Sequence, residues 1–149
     1  MSEEFPFFPY FCQLSPDRSD QMLSANFFDI QSFAGPFTDG SQQKYMVVTT
    51  LNSNHPVYQG HFPGNPVMPG VCQVQMVKEL VEKALGQSLR LTASDNIKFL
   101  SAINPLVYPR LEFNINIKPF SDRQISASAS IGSGNMIFLK FKGTFDLAE

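Results

Sequence analysis

The chain has 149 residues, of which 43% are hydrophobic and 16% charged, and a formal net charge of −2. That describes one globular domain, whose core covers about two thirds of the unfolded surface, and it excludes disorder as the default of any long segment. No lysine or arginine cluster offers a footprint for nucleic acid, and no apolar run approaches the ~20 residues a membrane span needs.

Residues 1–21 lack any hydrophobic period and carry prolines at 6, 9 and 16. They are expected to form an aromatic arm. Phe5, Phe7, Phe8, Tyr10 and Phe11 are too apolar for water and are expected to pack on the domain, 22–149, or on a second subunit. The acidic start "MSEE" has none of the basic character of a secretory leader, so the expected location is the cytoplasm. Cys12 and Cys72 lack metal-ligand spacing and suit a reducing compartment.

After the arm, "NFFDIQSF" is a short apolar segment closed by a turn signal, "AGPFTDGS". Gln43 to Asn52 is rich in β-branched residues and predicts a strand. The spacing of Val74, Val77, Val81 and Ala84 predicts a helix from Gly70 to Leu85, with Gly86 as its C-terminal cap. Cys72, Met76 and Leu80 widen the apolar stripe, and Gln75, Lys78, Glu79 and Glu82 are left as the polar, solvated face. Cys72 reads as a small buried residue, although a thiol in the first turn of a helix can also be activated by the helix dipole.

The remainder reads as β structure. "RLTASDNIKFLSAI" supplies one or two extended pieces. In "RLEFNINIK", Leu111, Phe113, Ile115 and Ile117 alternate with Glu112, Asn114, Asn116 and Lys118, as in a half-buried antiparallel strand. "QISASASIGSGNMIFLKFKGTF" is a hairpin turning at "GSGN", and the small Ala127 and Ala129 call for bulky neighbours. One dominant helix among long antiparallel strands predicts an α+β fold, with a curved sheet wrapped around that helix.

The chemistry concentrates before the helix, in "GHFPGNPVMPGV". His55 and His61 are the only histidines, too few to suggest a metal site. Prolines 63, 66 and 69 and glycines 60, 64 and 70 restrict the loop that carries His61. A histidine serves as a base near neutral pH, and the unpaired N–H groups at the start of the helix offer a site for a carbonyl oxygen or an anion. Together they suit proton abstraction beside a thioester carbonyl.

That run closely resembles the signature of the 3-hydroxyacyl-(acyl carrier protein) dehydratases of the FabZ/FabA type, and "NIKFLSAINPLVYP" resembles a further segment of the same family. The resemblance implies a hotdog fold, in which a curved antiparallel sheet wraps one long central helix. It implies that His61 removes the C2 proton of a (3R)-3-hydroxyacyl thioester and that the Gly70 N–H binds the thioester oxygen. Val71 would line the acyl site by the same correspondence, and Phe62 and Phe99 read either as lining its apolar tunnel or as plain core. The family's second catalytic residue, a Glu or Asp, stands fourteen positions after the histidine, where this chain has Gln75. Glutamine orients a hydroxyl but is no acid.

Three readings follow from that departure. His61 performs both proton transfers while Gln75 positions the hydroxyl, or Glu79, one turn on, substitutes for the acid. Otherwise the chain is a non-catalytic partner of an active dehydratase in a hetero-oligomer. A hotdog acyl thioesterase is a further alternative. The resemblance also implies an acyl carrier protein or coenzyme A thioester as the partner, a homo-oligomer or a hetero-oligomer with a homologue, and a dimer at least. It calls for no metal and no organic cofactor.

Overall fold

The computed structural model describes residues 26–59 and 64–147. The aromatic arm, Cys12, His61 and Phe62 lie outside the described residues. Six strands form one antiparallel sheet: β1 (Phe28–Asp39), β2 (Gln42–Leu51), β3 (Leu89–Phe99), β4 (Arg110–Ser121), β5 (Gln124–Ser133) and β6 (Met136–Leu147). Their spatial order is β1-β2-β4-β5-β6-β3. The helix α1 (Gly70–Leu85) interrupts the chain between β2 and β3, and a 3-10 turn at Pro56–Tyr58 precedes it.

Period-two patterning sets the sheet's two faces. Tyr45, Val47, Leu111, Phe113, Ile115 and Ile117 are buried, whereas Lys44, Met46, Glu112 and Asn114 between them are exposed. Shifting a strand by one residue would turn its whole apolar set to water, so this alternation holds the register. Ala129 pairs with Ile115 on one side and Phe141 on the other. The bulky neighbours expected for the small residues are there.

Met76, Val77, Leu80 and Val81 on α1 are almost wholly buried and share one core with the inward residues of the strands. At Gly86 the helix ends with φ of 68°, a left-handed conformation in which glycine carries no Cβ penalty, and its N–H bonds the Glu82 carbonyl.

Two expectations are corrected. The stretch "AGPFTDGS" does not close a short segment, because β1 runs through most of it with a register shift between Ala34 and Phe37. A Cβ at Gly35 would come within 2.6 Å of the Lys44 carbonyl, so the glycine serves a close strand approach, and the chain reverses only at Gly40. The stretch from Arg90, expected to give one or two extended pieces, gives one, β3, with two register shifts.

The second correction concerns the helix. Glu79 and Glu82, expected on a solvated face, are 3% and 8% exposed. The Glu82 carboxylate accepts from the Leu89 N–H at 2.8 Å and from Lys78 Nζ at 3.1 Å, which ties the helix end to the start of β3. Periodicity separates apolar from polar positions; it does not show how far neighbouring elements reach around the helix.

Candidate active site

The approach to α1 is held by hydrogen bonds to the segment that follows β3. The Met68 N–H donates to the Ile103 carbonyl at 2.8 Å, and the Asn104 side chain bonds that of Asn65 at 3.1 Å. Pro69, buried, then occupies the N-cap with extended backbone and no side chain able to cap. The first N–H groups of a helix have no partner within it, and they concentrate partial positive charge at that end. Gly70 and Val71 present theirs at this uncapped turn.

Phe99, at the end of β3, meets Gly70 there. A Cβ on Gly70 would lie 2.8 Å from Phe99 Cζ and 3.0 Å from Cε1, so the ring closes over the bare α-carbon. Three expected site residues, Gly70, Val71 and Phe99, thus come together at the helix start. Val71 is partly buried and packs on the core. Gln75 stands about 7.5 Å further along the helix axis; its Nε2 donates to Glu79 Oε2 at 2.9 Å.

A buried polar group lies behind this helix face. Cys72 is 1% exposed, and burial first, then the negative charge of Glu79, push its thiol pKa up. The buried reading of Cys72 therefore holds over the activated one. Tyr58 is also buried; burial first, and then Cys72, raise its phenol pKa. Its hydroxyl has no hydrogen-bond partner among the described residues. Sequence reasoning missed Tyr58, and the only available signal was the apolar pair Val57–Tyr58 just before Gly60. Tyr58 anchors the 3-10 turn in the core that α1 shares.

His55 is structural. Its Nδ1 accepts from the Val57 N–H at 3.1 Å, capping the 3-10 turn, and its ring stands edge-on to Phe27 at 5.0 Å. Burial lowers its pKa, keeping the imidazole neutral.

Among the described residues, no group of three His, Cys, Asp or Glu side chains is placed to hold a metal ion, and no helix is long and apolar enough to cross a membrane. A concavity of about 590 Å³ lies over the sheet between Phe37, Lys44, Met46, Asn116 and Lys140, and it touches none of the candidate residues among the described ones.

The six-stranded antiparallel sheet with its single long helix is a hotdog fold. Residues 38–134, more than half the chain, match the ApeI-like family, described as ApeI dehydratase, and the chain belongs to this FabZ/ApeI-type dehydratase family. The 3-hydroxyacyl-[acyl-carrier-protein] dehydratase FabZ of Zymomonas mobilis is 32% identical over 77 residues, 52% of this chain and 46% of that protein. The FabZ of Rhizorhabdus wittichii is 35% identical over 92 residues, 56% of this chain and 57% of that protein. The chain therefore spans about half the length of these relatives.

Solved structures share the fold. A chain of the dehydratase heterocomplex ApeI:P from Xenorhabdus doucetiae superposes with a TM-score of 0.57 at 16% identity, covering 79% of this chain and 96% of that one. A hypothetical thioesterase from Streptococcus pneumoniae, solved with coenzyme A, gives 0.55 at 14% identity, covering 81% and 85%.

Proposed function

We propose that the chain converts (3R)-3-hydroxyacyl thioesters, carried on an acyl carrier protein or coenzyme A, into trans-2-enoyl thioesters. The observation that carries this reading is the uncapped start of α1 at Gly70, closed over by Phe99, in a chain of the FabZ/ApeI type. The thioester oxygen is held by the Gly70 N–H, where charge develops as C2 loses its proton. His61 takes that proton, the electron pair forms the C2–C3 double bond, and the C3 hydroxyl departs as water.

Gln75 holds the hydroxyl and supplies no proton. His61 therefore returns the proton it took to the leaving oxygen, and one histidine serves both steps. The acyl chain runs along Val71, Phe99 and Phe62. Exposed Phe99, Leu100, Leu106 and Val107 support a site completed by a second subunit, a copy of this chain or a homologue.

The test is incubation of a (3R)-3-hydroxyacyl thioester with the protein and with His61→Ala, with mass spectrometry for enoyl thioester and free acid. Enoyl product lost in the variant supports the proposal, and free acid points to a thioesterase. The absence of acid at position 75 favours a second reading, a partner subunit within a mixed dehydratase. Inactivity alone with activity on adding a homologue would establish that reading.

A further inference from the structure

We infer that Glu79 is a positioning residue that fixes the amide of Gln75 with its carbonyl oxygen turned toward the substrate. The inference takes its substrate from the dehydration reading, and its geometry from the side chains alone. Glu79 is 3% exposed, in the second half of a helix whose neighbouring face is core. A buried carboxylate is costly to keep unless its charge is met by hydrogen bonds, so its contact with Gln75 at 2.9 Å is a constraint rather than a passing surface pair.

The consequence lies in the asymmetry of the amide. An ionised carboxylate only accepts, whereas glutamine has a donating end and an accepting end. The negative charge of Glu79 is felt by Cys72, whose thiol pKa it helps, after burial, to raise. Facing that charge, Gln75 must present Nε2 to Glu79, and Oε1 becomes the end turned away from the pair. Flipping the amide would set oxygen against oxygen.

An amide oxygen facing the acyl site accepts the hydrogen of the C3 hydroxyl. This leaves a lone pair of the hydroxyl oxygen available to protonated His61. When the C2–H pair forms the new double bond, the C3–O pair leaves with oxygen, which collects the proton from His61, and the imidazole is neutral again. Nothing is oxidised or reduced. Glu79 touches no reacting atom and acts through Gln75, so the carboxylate missing at 75 is used one turn away.

The first readout is the side-chain amide of Gln75 by proton–nitrogen NMR, assigned by its loss in Gln75→Ala. The proposal expects one amide proton shifted downfield in the native protein and returned toward the free-amide position in Glu79→Gln, where the introduced side chain can offer either end. The second is kinetic. Glu79→Gln lowers kcat by about 10- to 100-fold, as a misplaced group does, with KM nearly unchanged; Glu79→Asp restores part of the loss.

In a Gln75→Ala background, Glu79→Gln has no further effect on kcat. An unshifted amide in the native protein overturns the proposal, as does an equal loss of kcat in both backgrounds. Native protein that forms no enoyl product sinks the dehydration reading instead, and the amide signal then still decides whether Glu79 orients Gln75.

Discussion

Phe99 lies against Gly70 so closely that a methyl group at position 70 would sit 2.8 Å from the ring's Cζ. Gly70→Ala therefore has to displace the ring. Overpacking costs about 1–3 kcal/mol and the gain in helix propensity returns about 1, so the expected net loss is about 1 kcal/mol. In a Phe99→Ala background the same substitution is neutral or stabilising. Thermal unfolding of the four proteins checks this, and an equal destabilisation in both backgrounds would refute the contact.

Glu82 tests the junction between helix and sheet. Its carboxylate satisfies the N–H of buried Leu89, so Glu82→Ala strands a donor, at about 1–3 kcal/mol. Glu82→Gln keeps an acceptor and is expected to lose clearly less. Urea unfolding separates the two, and equal losses would show that charge, rather than the bond to Leu89, matters there.

His55 makes stability depend on pH. Its pKa in the folded protein is below the ordinary value of about 6.5. As pH falls through 6.5 the unfolded chain takes up a proton that the folded chain refuses, so stability declines until the lower folded pKa is reached. His55→Asn keeps a capping side chain and cannot titrate in this range. It is expected to flatten the decline between about pH 7 and pH 5 in denaturant midpoints; an unchanged slope would assign the dependence elsewhere.

Cys72 is buried with a raised thiol pKa, and its labelling should wait for unfolding. In a Cys12→Ser background, Ellman's reagent is expected to react at the rate of global or local opening, accelerating with urea. Rapid stoichiometric labelling in buffer would place the thiol at the surface.

Much of the fold is legible residue by residue. Val74, Val77 and Val81 define α1 because burial on one side demands helical spacing, and the alternation from Leu111 to Ile117 defines β4 for the same reason at period two. The bulge at Gly35 was hidden because glycine and proline serve turns and bulges alike. Near the candidate site, the start of α1 at Gly70 is legible from the prolines and glycines that precede it. The Phe99 contact joins residues far apart in sequence, and no local rule predicts it. The Gln75–Glu79 spacing is visible in sequence; the burial that turns it into a constraint comes only from packing.

The most direct measurement is hydration of a trans-2-enoyl thioester in deuterium oxide, the proposed reaction run backwards, with the product analysed for deuterium at C2. The account predicts a 3-hydroxyacyl thioester with one deuterium at C2, formed by the native protein and lost in His61→Ala. Equal deuterated product from His61→Ala would contradict the assignment of the base, and free acid with no hydrated thioester would contradict the dehydration chemistry itself.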